Sequence, residues 1–329
     1  MGTTADKLNK LIESKAAIKA AIEAKGVADV GDVLSDYPNK IASIPSGGTG
    51  GKFKVTNDFN FGYSTFTEFD PTQFDLSEKT DMSYMFYYCR ELTGVTLDTS
   101  NVTDMLSMFY NCSVLTEVNL SDTSNVTTMN SMFRDISKLK SVSFADSKNV
   151  KYMNNMFYNC SGLTGVTLDT SNCTDMSSMF YNCSALTEFN LTDTSKVTSM
   201  NSMFKSCKLI TGCTTLDTSS CTNMTYMFEG CSALTSVNFS NVSNVTSMNY
   251  IFSSCKALTT LSGFTGLKVN LDLSASEVLT VDSVMNVINN AADMSSSAKT
   301  LTLHANVFAQ LSEEQIQTAS AKGWNIAQK

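Results

Sequence analysis

The apolar positions of this chain fall into one phrase that keeps returning. In "MSSMFYNC", Met176, Met179, Phe180 and Cys183 sit at i, i+3, i+4 and i+7, the spacing of one helix face. The pattern then changes. Leu186, Phe189 and Leu191 follow L-x-x-[VF]-x-[LF], whose closing alternation predicts a short strand with two side chains turned inward. A turn rich in Asp, Thr, Ser and Asn follows, and the phrase starts again. Its phenylalanine recurs as Phe86, Phe109, Phe133, Phe157, Phe180, Phe204, Phe228 and Phe252, a period of 23 or 24 residues. Each of these eight units is expected to be a strand, a turn and a short helix. None can bury its apolar face alone, so neighbours must stack into one continuous core, a solenoid.

The flanks differ. Residues 52–76, containing "KVTNDFNFGYSTFTEFD", alternate aromatic and polar positions and predict strands that cap the first coil. Beyond residue 264 the phrase is lost. "VDSVMNVINNAAD" predicts a helix, "KTLTLHA" a strand, and "LSEEQIQTASAKGW" a second helix opened by a Ser-x-x-Gln cap. Residues 265–329 therefore read as an α/β unit that closes the solenoid, with Trp324 sealing its apolar end.

The run "DTSNVTDMLSMFYNC…LTEVNLSDTSNVTTMNSMF" resembles the BspA-type leucine-rich repeats of bacterial surface proteins. The resemblance covers residues 77–264 and rests on N-V-T-x-M-x-x-M-F. It implies an α/β repeat in a right-handed, leucine-rich-repeat-like solenoid, a role in adhesion or recognition, and no catalysis. The closing "LSEEQIQTASAKGWNI" resembles the C-terminal unit of such repeat proteins.

Residues 1–44 differ in kind. Leu8, Leu11, Ile18 and Ile22 follow a three-four spacing broken by Lys15, predicting an amphipathic helix. Gly26 ends it, a second short helix can follow, and residues 45–51 are a glycine-rich linker. The "LSDYPNKIASIP" phrase before that hinge resembles short N-terminal modules of bacteriophage tail fibres and tail-associated proteins. The four apolar residues then either fold back as a solenoid cap or serve attachment to a virion and oligomerisation. No apolar leader precedes them, so export by a signal of the usual kind is not expected.

Composition narrows the chemistry. A net charge of −8 disfavours tracking a nucleic-acid backbone, and no apolar run approaches a membrane span. Seven cysteines (Cys89, Cys112, Cys160, Cys183, Cys207, Cys231 and Cys255) stand three residues after the phenylalanine, and Ile136 takes the same slot. A slot that accepts isoleucine asks for small apolar volume, so the cysteines are expected to be buried, reduced filling. Cys173 and Cys221 replace a core valine, while Cys213 has no place in the pattern. No metal or cofactor site is expected. Asp98, Asp122, Asp146, Asp169, Asp193 and Asp217 mark the strand exits; they are expected to hold the turn backbone, with a cation column as the other reading. His304 is the sole histidine and is expected to be structural. The Asn-x-Ser/Thr triplets at Asn101, Asn125 and Asn182 are by-products of the repeat.

Two surfaces remain as candidate binding faces. The position after each phenylalanine holds Tyr87, Tyr110, Tyr158 and Tyr181, with Arg134, Lys205, Glu229 and Ser253 in the other units; it must reach solvent, and tyrosines there suit sugar or protein recognition. The outward strand positions, among them Glu117, Asn119, Glu188 and Asn190, form a flat polar alternative. Acids repeat with the solenoid and mark no unique cleft, so catalysis is not expected. The sequence thus reads as a phage tail fibre or receptor-binding protein that contacts a glycan or protein on a bacterial surface, with virion partners held through residues 1–44 and self-association possible through the same module. The alternatives are a BspA-like bacterial surface adhesin and a purely structural tail component.

Overall fold

The computed structural model describes residues 52–57, 59–144 and 146–329. The predicted helical module with Leu8, Leu11, Ile18 and Ile22, and the linker 45–51, lie outside the described residues.

A solenoid of parallel coils carries the repeat. Strand Gly94–Leu97 pairs in parallel with Glu117–Leu120, and Gly165–Leu168 with Glu188–Leu191. Three more strands, Gly212–Leu216, Ser236–Phe239 and Thr260–Ser262, form a third sheet. Inward Val95 and Leu97 are buried while Thr96 between them is exposed, as the alternation predicts. A second parallel ladder follows each turn, bridging Asp81, Asp104, Thr128, Tyr152, Asp175, Ser199, Asn223 and Ser247 in succession. Residues 141–144 of the third coil form no strand, which interrupts the sheet there.

The Met-Phe-Cys phrase corrects the sequence reading: it is a run of turns, not a short helix. Met179, Tyr181 and Cys183 donate their N–H groups three residues back, to Met176, Ser178 and Phe180. The N–H groups between them go to the next coil: Met176 to Ser199, Ser178 to Asn201, Phe180 to Met203, Asn182 to Lys205, at 2.7–3.1 Å. A helix would satisfy these donors within its own segment; stacking offers them a neighbour's carbonyl instead. Consecutive turns happen to place apolar residues at i, i+3, i+4 and i+7. They also demand a left-handed residue twice per coil, at Ser107 and Asn111, Ser178 and Asn182, and their equivalents. Those positions hold Ser, Asn, Asp, Tyr or Gly and never a β-branched residue, whose side chain suits that region worst.

The core runs the length of the solenoid. Phe61, Phe86, Phe109, Phe133, Phe157, Phe180, Phe204, Phe228 and Phe252 stack ring on ring, with centroids 5.4–6.0 Å apart and planes within 13°. All nine are fully buried, each contributing roughly 1.5–3 kcal/mol by leaving water. Phe61 extends the stack one ring before the first recognised repeat.

Both ends are plugged. At the N-terminal end the expected strands shrink to Phe53–Lys54 and Phe74–Asp75. Phe59, Phe66, Phe69 and Phe74 close on Phe61 as an aromatic cluster instead, because the first coil leaves a ring of the stack to cover. Buried Lys79 donates to the carbonyls of Thr56 and Phe59. At the C-terminal end, helices Val281–Asn290 and Glu313–Ala321 pack with parallel strands Leu271–Leu273, Lys299–Leu303 and Trp324–Gln328. Ser312 and Gln315 form the predicted capping box. Trp324 is buried, its indole N–H bonded to Ala292, as the sealing role requires. Lys322 caps the first helix through the carbonyls of Ile288, Asn289 and Ala291.

Candidate recognition surface

Most polar groups of the repeat are spent between coils. The ten cysteines are free and buried, as expected of filling, but the ladder cysteines do more. Cys89, Cys112, Cys160, Cys183, Cys207, Cys231 and Cys255 each aim Sγ at a phenylalanine carbonyl of the preceding coil, at 2.9–3.2 Å. Burial pushes the thiols of Cys89, Cys160 and Cys255 up to about 12. Ser64 and Ser276 hold buried hydroxyls at the two ends of this ladder. Cys213, unplaced by sequence, pairs with Val237 in the third sheet.

The aspartate column behaves as turn chemistry. Asp98, Asp122, Asp146, Asp169, Asp193 and Asp217 each accept an N–H from two residues on. For Asp169 and Asp217 the bonds to Ser171 and Ser219 hold the carboxyls below the usual range. Beside them runs a buried column the pattern did not disclose: Thr99, Thr123, Ser147, Thr170, Thr194 and Thr218 donate their hydroxyls to the next coil's backbone. Asn101 and Asn125 reach the preceding coil's carbonyls, which explains two of the sequon matches. His304 caps helix Ala305–Phe308, its Nδ1 accepting the Asn306 N–H. Among the described residues, no group of three His, Cys, Asp or Glu is placed to hold a metal ion.

What remains for solvent is a ridge. Tyr87, Tyr110, Tyr158 and Tyr181 are half-buried, and the structure joins them to residues the sequence reading left out. Tyr63 stacks on Tyr88, Tyr84 meets Tyr87, and Tyr88 stacks on Tyr110. Arg134 lies over Tyr110 and Tyr158, at 5.5 and 4.2 Å. Tyr158 stacks on Tyr181 at 4.4 Å with planes 4° apart. Lys205 bridges Tyr181 to Tyr226, which stacks on Tyr250. The column is continuous from Tyr63 to Tyr250, with cations intercalated between tyrosine groups. Burial raises the phenols of Tyr87, Tyr110 and Tyr158. Lys205 is raised chiefly by its 2.7 Å bond to Glu229.

Along the solenoid axis the ridge mixes stacked pairs, such as Tyr88 with Tyr110 and Tyr158 with Tyr181, with edge-on and tilted ones, such as Tyr84 with Tyr87 and Tyr87 with Tyr110. The most exposed rings of the ridge are Tyr63 (60%) and Tyr250 (58%), at its two ends, with Tyr84 (42%) next. Tyr63 and Tyr88 border a depression of ≈ 420 Å³ with Ser64, Thr65, Arg90 and Glu91. Aligning Phe61-Gly62-Tyr63-Ser64 with Phe86-Tyr87-Tyr88-Cys89 was the available signal for Tyr63. Tyr84, Tyr226 and Tyr250 sit at left-handed turn positions, which a helical reading places elsewhere.

The second candidate face is separate. Glu117, Asn119, Glu188 and Asn190 are exposed on the sheets, and Asn119 donates to Glu117 at 3.0 Å. Glu188 and Asn190 border a shallow groove of ≈ 670 Å³ where residues 141–144 leave the sheet. It shares no lining residue with the ridge.

No curated protein matches the chain in sequence. Solved structures similar to it include a leucine-rich cell surface protein from Faecalibacterium prausnitzii, 16% identical over 85% of this chain and 89% of that one, with a TM-score of 0.41. Another is the pneumococcal vaccine antigen PcpA, 12% identical over 84% and 78%, TM-score 0.36. A third is the functional domain of InlJ from Listeria monocytogenes, described as including a cysteine ladder, 13% identical over 74% and 54%, TM-score 0.28. A family model matches residues 80–188 and 174–307, nearly all of the repeats and the larger part of the closing unit. The chain belongs to the family described as Mycoplasma protein of unknown function, DUF285.

Proposed function

We propose that this protein is a non-enzymatic recognition module displayed on a bacterial surface, and that the tyrosine–cation ridge is its binding face. The observation that carries the reading is the ridge itself. The core explains the phenylalanines, and coil-to-coil bonding explains the Thr, Asn and Asp columns. Nothing in the fold requires a row of tyrosines held by Arg134 and Lys205 at the solvent boundary. Tyrosine and arginine supply rigid, amphipathic contact area at low entropic cost. Catalytic chemistry finds no support in the groups described: His304 is a cap, the cysteines are buried with raised thiols, and the repeated aspartates hold turns.

Display on a cell surface is supported by the BspA-like phrase, which spans residues 77–264. A place on a phage tail rests on the phrase in residues 1–44 and is the second reading. Antibody labelling of intact producing cells, against purified phage particles, separates the two.

Binding of the fluorescently labelled full chain to bacterial and host cells tests the face. Arg134→Ala and Lys205→Ala should each lower binding several-fold or more, whereas Glu117→Ala and Asn190→Ala should not. The opposite pattern moves the face to the sheet. Absence of binding to any cell ends the recognition reading.

A further inference from the structure

The core of the solenoid repeats every coil, yet the ridge does not. Reading the position after each phenylalanine gives Tyr87, Tyr110, Arg134, then Tyr158, Tyr181, Lys205, then Glu229 and Ser253. The order Tyr-Tyr-cation occurs twice, at an offset of 71 residues, or three coils. The outward strand positions keep the same offset, with Gly94, Thr96, Glu117 and Asn119 returning as Gly165, Thr167, Glu188 and Asn190. Stacking of phenylalanine and cysteine columns requires no such three-coil period, because those slots are filled alike in nearly every coil. The two copies share an order of contacts in space, although the first tyrosine pair is tilted by 36° and the second is parallel within 4°. A tyrosine pair stands beside a cation that lies over one of its rings: Tyr87 and Tyr110 at 5.0 Å with Arg134 beyond, and Tyr158 and Tyr181 at 4.4 Å with Lys205 beyond.

Building on the ridge as the binding face, we propose that these are two copies of one subsite, and that together they read a linear, uncharged polysaccharide. Three features set the ligand class. The copies lie about 14 Å apart along the axis, three strand spacings, so one ligand that fills both must itself repeat over a short run of units, as a polysaccharide does and a folded protein surface does not. The cations are balanced where they stand: Arg134 is 3.4 Å from Asp135, Lys205 is 2.7 Å from Glu229, and Arg90 has Glu91 beside it. The ridge therefore offers no net charge to a polyanion, and the chain as a whole, at −8, repels one. Finally, tyrosine is the residue that both copies keep, and a phenol hydroxyl both donates and accepts hydrogen bonds, as sugar hydroxyls do.

Each subsite alone binds weakly; the second contact becomes intramolecular once the ligand spans both, and affinity rises steeply with chain length. The test is calorimetry of the full chain with neutral linear oligosaccharides, glucans, galactans and mannans graded from the disaccharide upward. For at least one series, affinity should rise tenfold or more at the length that bridges the copies. Tyr110→Phe and Tyr181→Phe keep the ring stacks and should melt like the parent chain, yet each should return long oligosaccharides to the affinity of short ones. Affinity that does not change with length overturns the proposal, as does loss from only one of the two variants. If cells are bound through Arg134 and Lys205 while every oligosaccharide in the panel is ignored, the ridge reads a protein and the two copies mark shared ancestry alone. If cells are not bound either, the recognition reading has failed first.

Discussion

Cys183 Sγ lies 3.0 Å from the carbonyl oxygen of Phe157, one coil back, and that same oxygen also accepts the N–H of Cys160 at 3.0 Å. The cysteine thus joins two coils from inside the core, as a small apolar side chain that carries a weak donor. Cys183→Val keeps the volume and leaves Phe157 one partner, so it should cost no more than about 1 kcal/mol in urea melts.

The thiols should be silent in the folded protein. At pH 8, without reductant, a thiol reagent should label almost none of the ten cysteines until denaturant is added, then all of them. Their pH dependence has a fixed sign. An unfolded thiol ionises near 9, while burial holds Cys160 and Cys173 up to about 12. The folded chain keeps those protons longer, so the stabilisation is fully present below pH 9 and is lost as pH climbs from 9 towards 12. A chemical melt at pH 10.5 should show lower stability than one at pH 8.

Ser178 separates turns from helix. It sits at φ 54°, where glycine is at ease and a β-branched residue is strained. Ser178→Gly should leave stability unchanged or raise it slightly, and Ser178→Val should cost about 1–2 kcal/mol. A helix would rank glycine as the worse substitution, so the order of the two melting temperatures decides.

Met179 and Asp169 contrast core with turn. Met179→Asp places an unpaired charge beside the phenylalanine stack and should cost several kcal/mol, enough to unfold neighbouring coils with it. Asp169→Asn keeps an acceptor for Ser171 and Thr192 and should shift the melt little.

Thr170 tests the hidden polar column. Its hydroxyl donates to the Asp193 carbonyl from a buried position. Thr170→Val preserves shape but strands that carbonyl, at a cost of about 1–3 kcal/mol by thermal melt.

Much of the solenoid is legible because its period is written in large apolar residues. Phe86 to Phe252 mark the coils, Leu115 and Val118 mark the strand approach, and Ile136 identifies the cysteine slot as core. The helix expectation over the Met-Phe-Cys phrase failed for a specific reason. Periodicity reports which side chains face inward, and it does not report where an N–H goes when a neighbouring coil competes for it. The same blindness hid the Thr170 column, whose residues look like ordinary turn polars. On the ridge, the tyrosines after the phenylalanine were readable as solvent-facing, but their stacking was not.

The N–H donors of the turn segment point from one coil to the next, so the bonds that hold coil to coil act along the solenoid axis. Load applied between the two ends falls on one coil boundary at a time, beginning where a plug yields. Each coil of 23 or 24 residues that peels away releases about 80 Å of chain for one strand spacing of height lost. Force spectroscopy on the full chain should record a sawtooth of modest, near-equal peaks instead of a single rupture. A solenoid built this way lengthens under load before it parts, and spreads the work of extension over its coils.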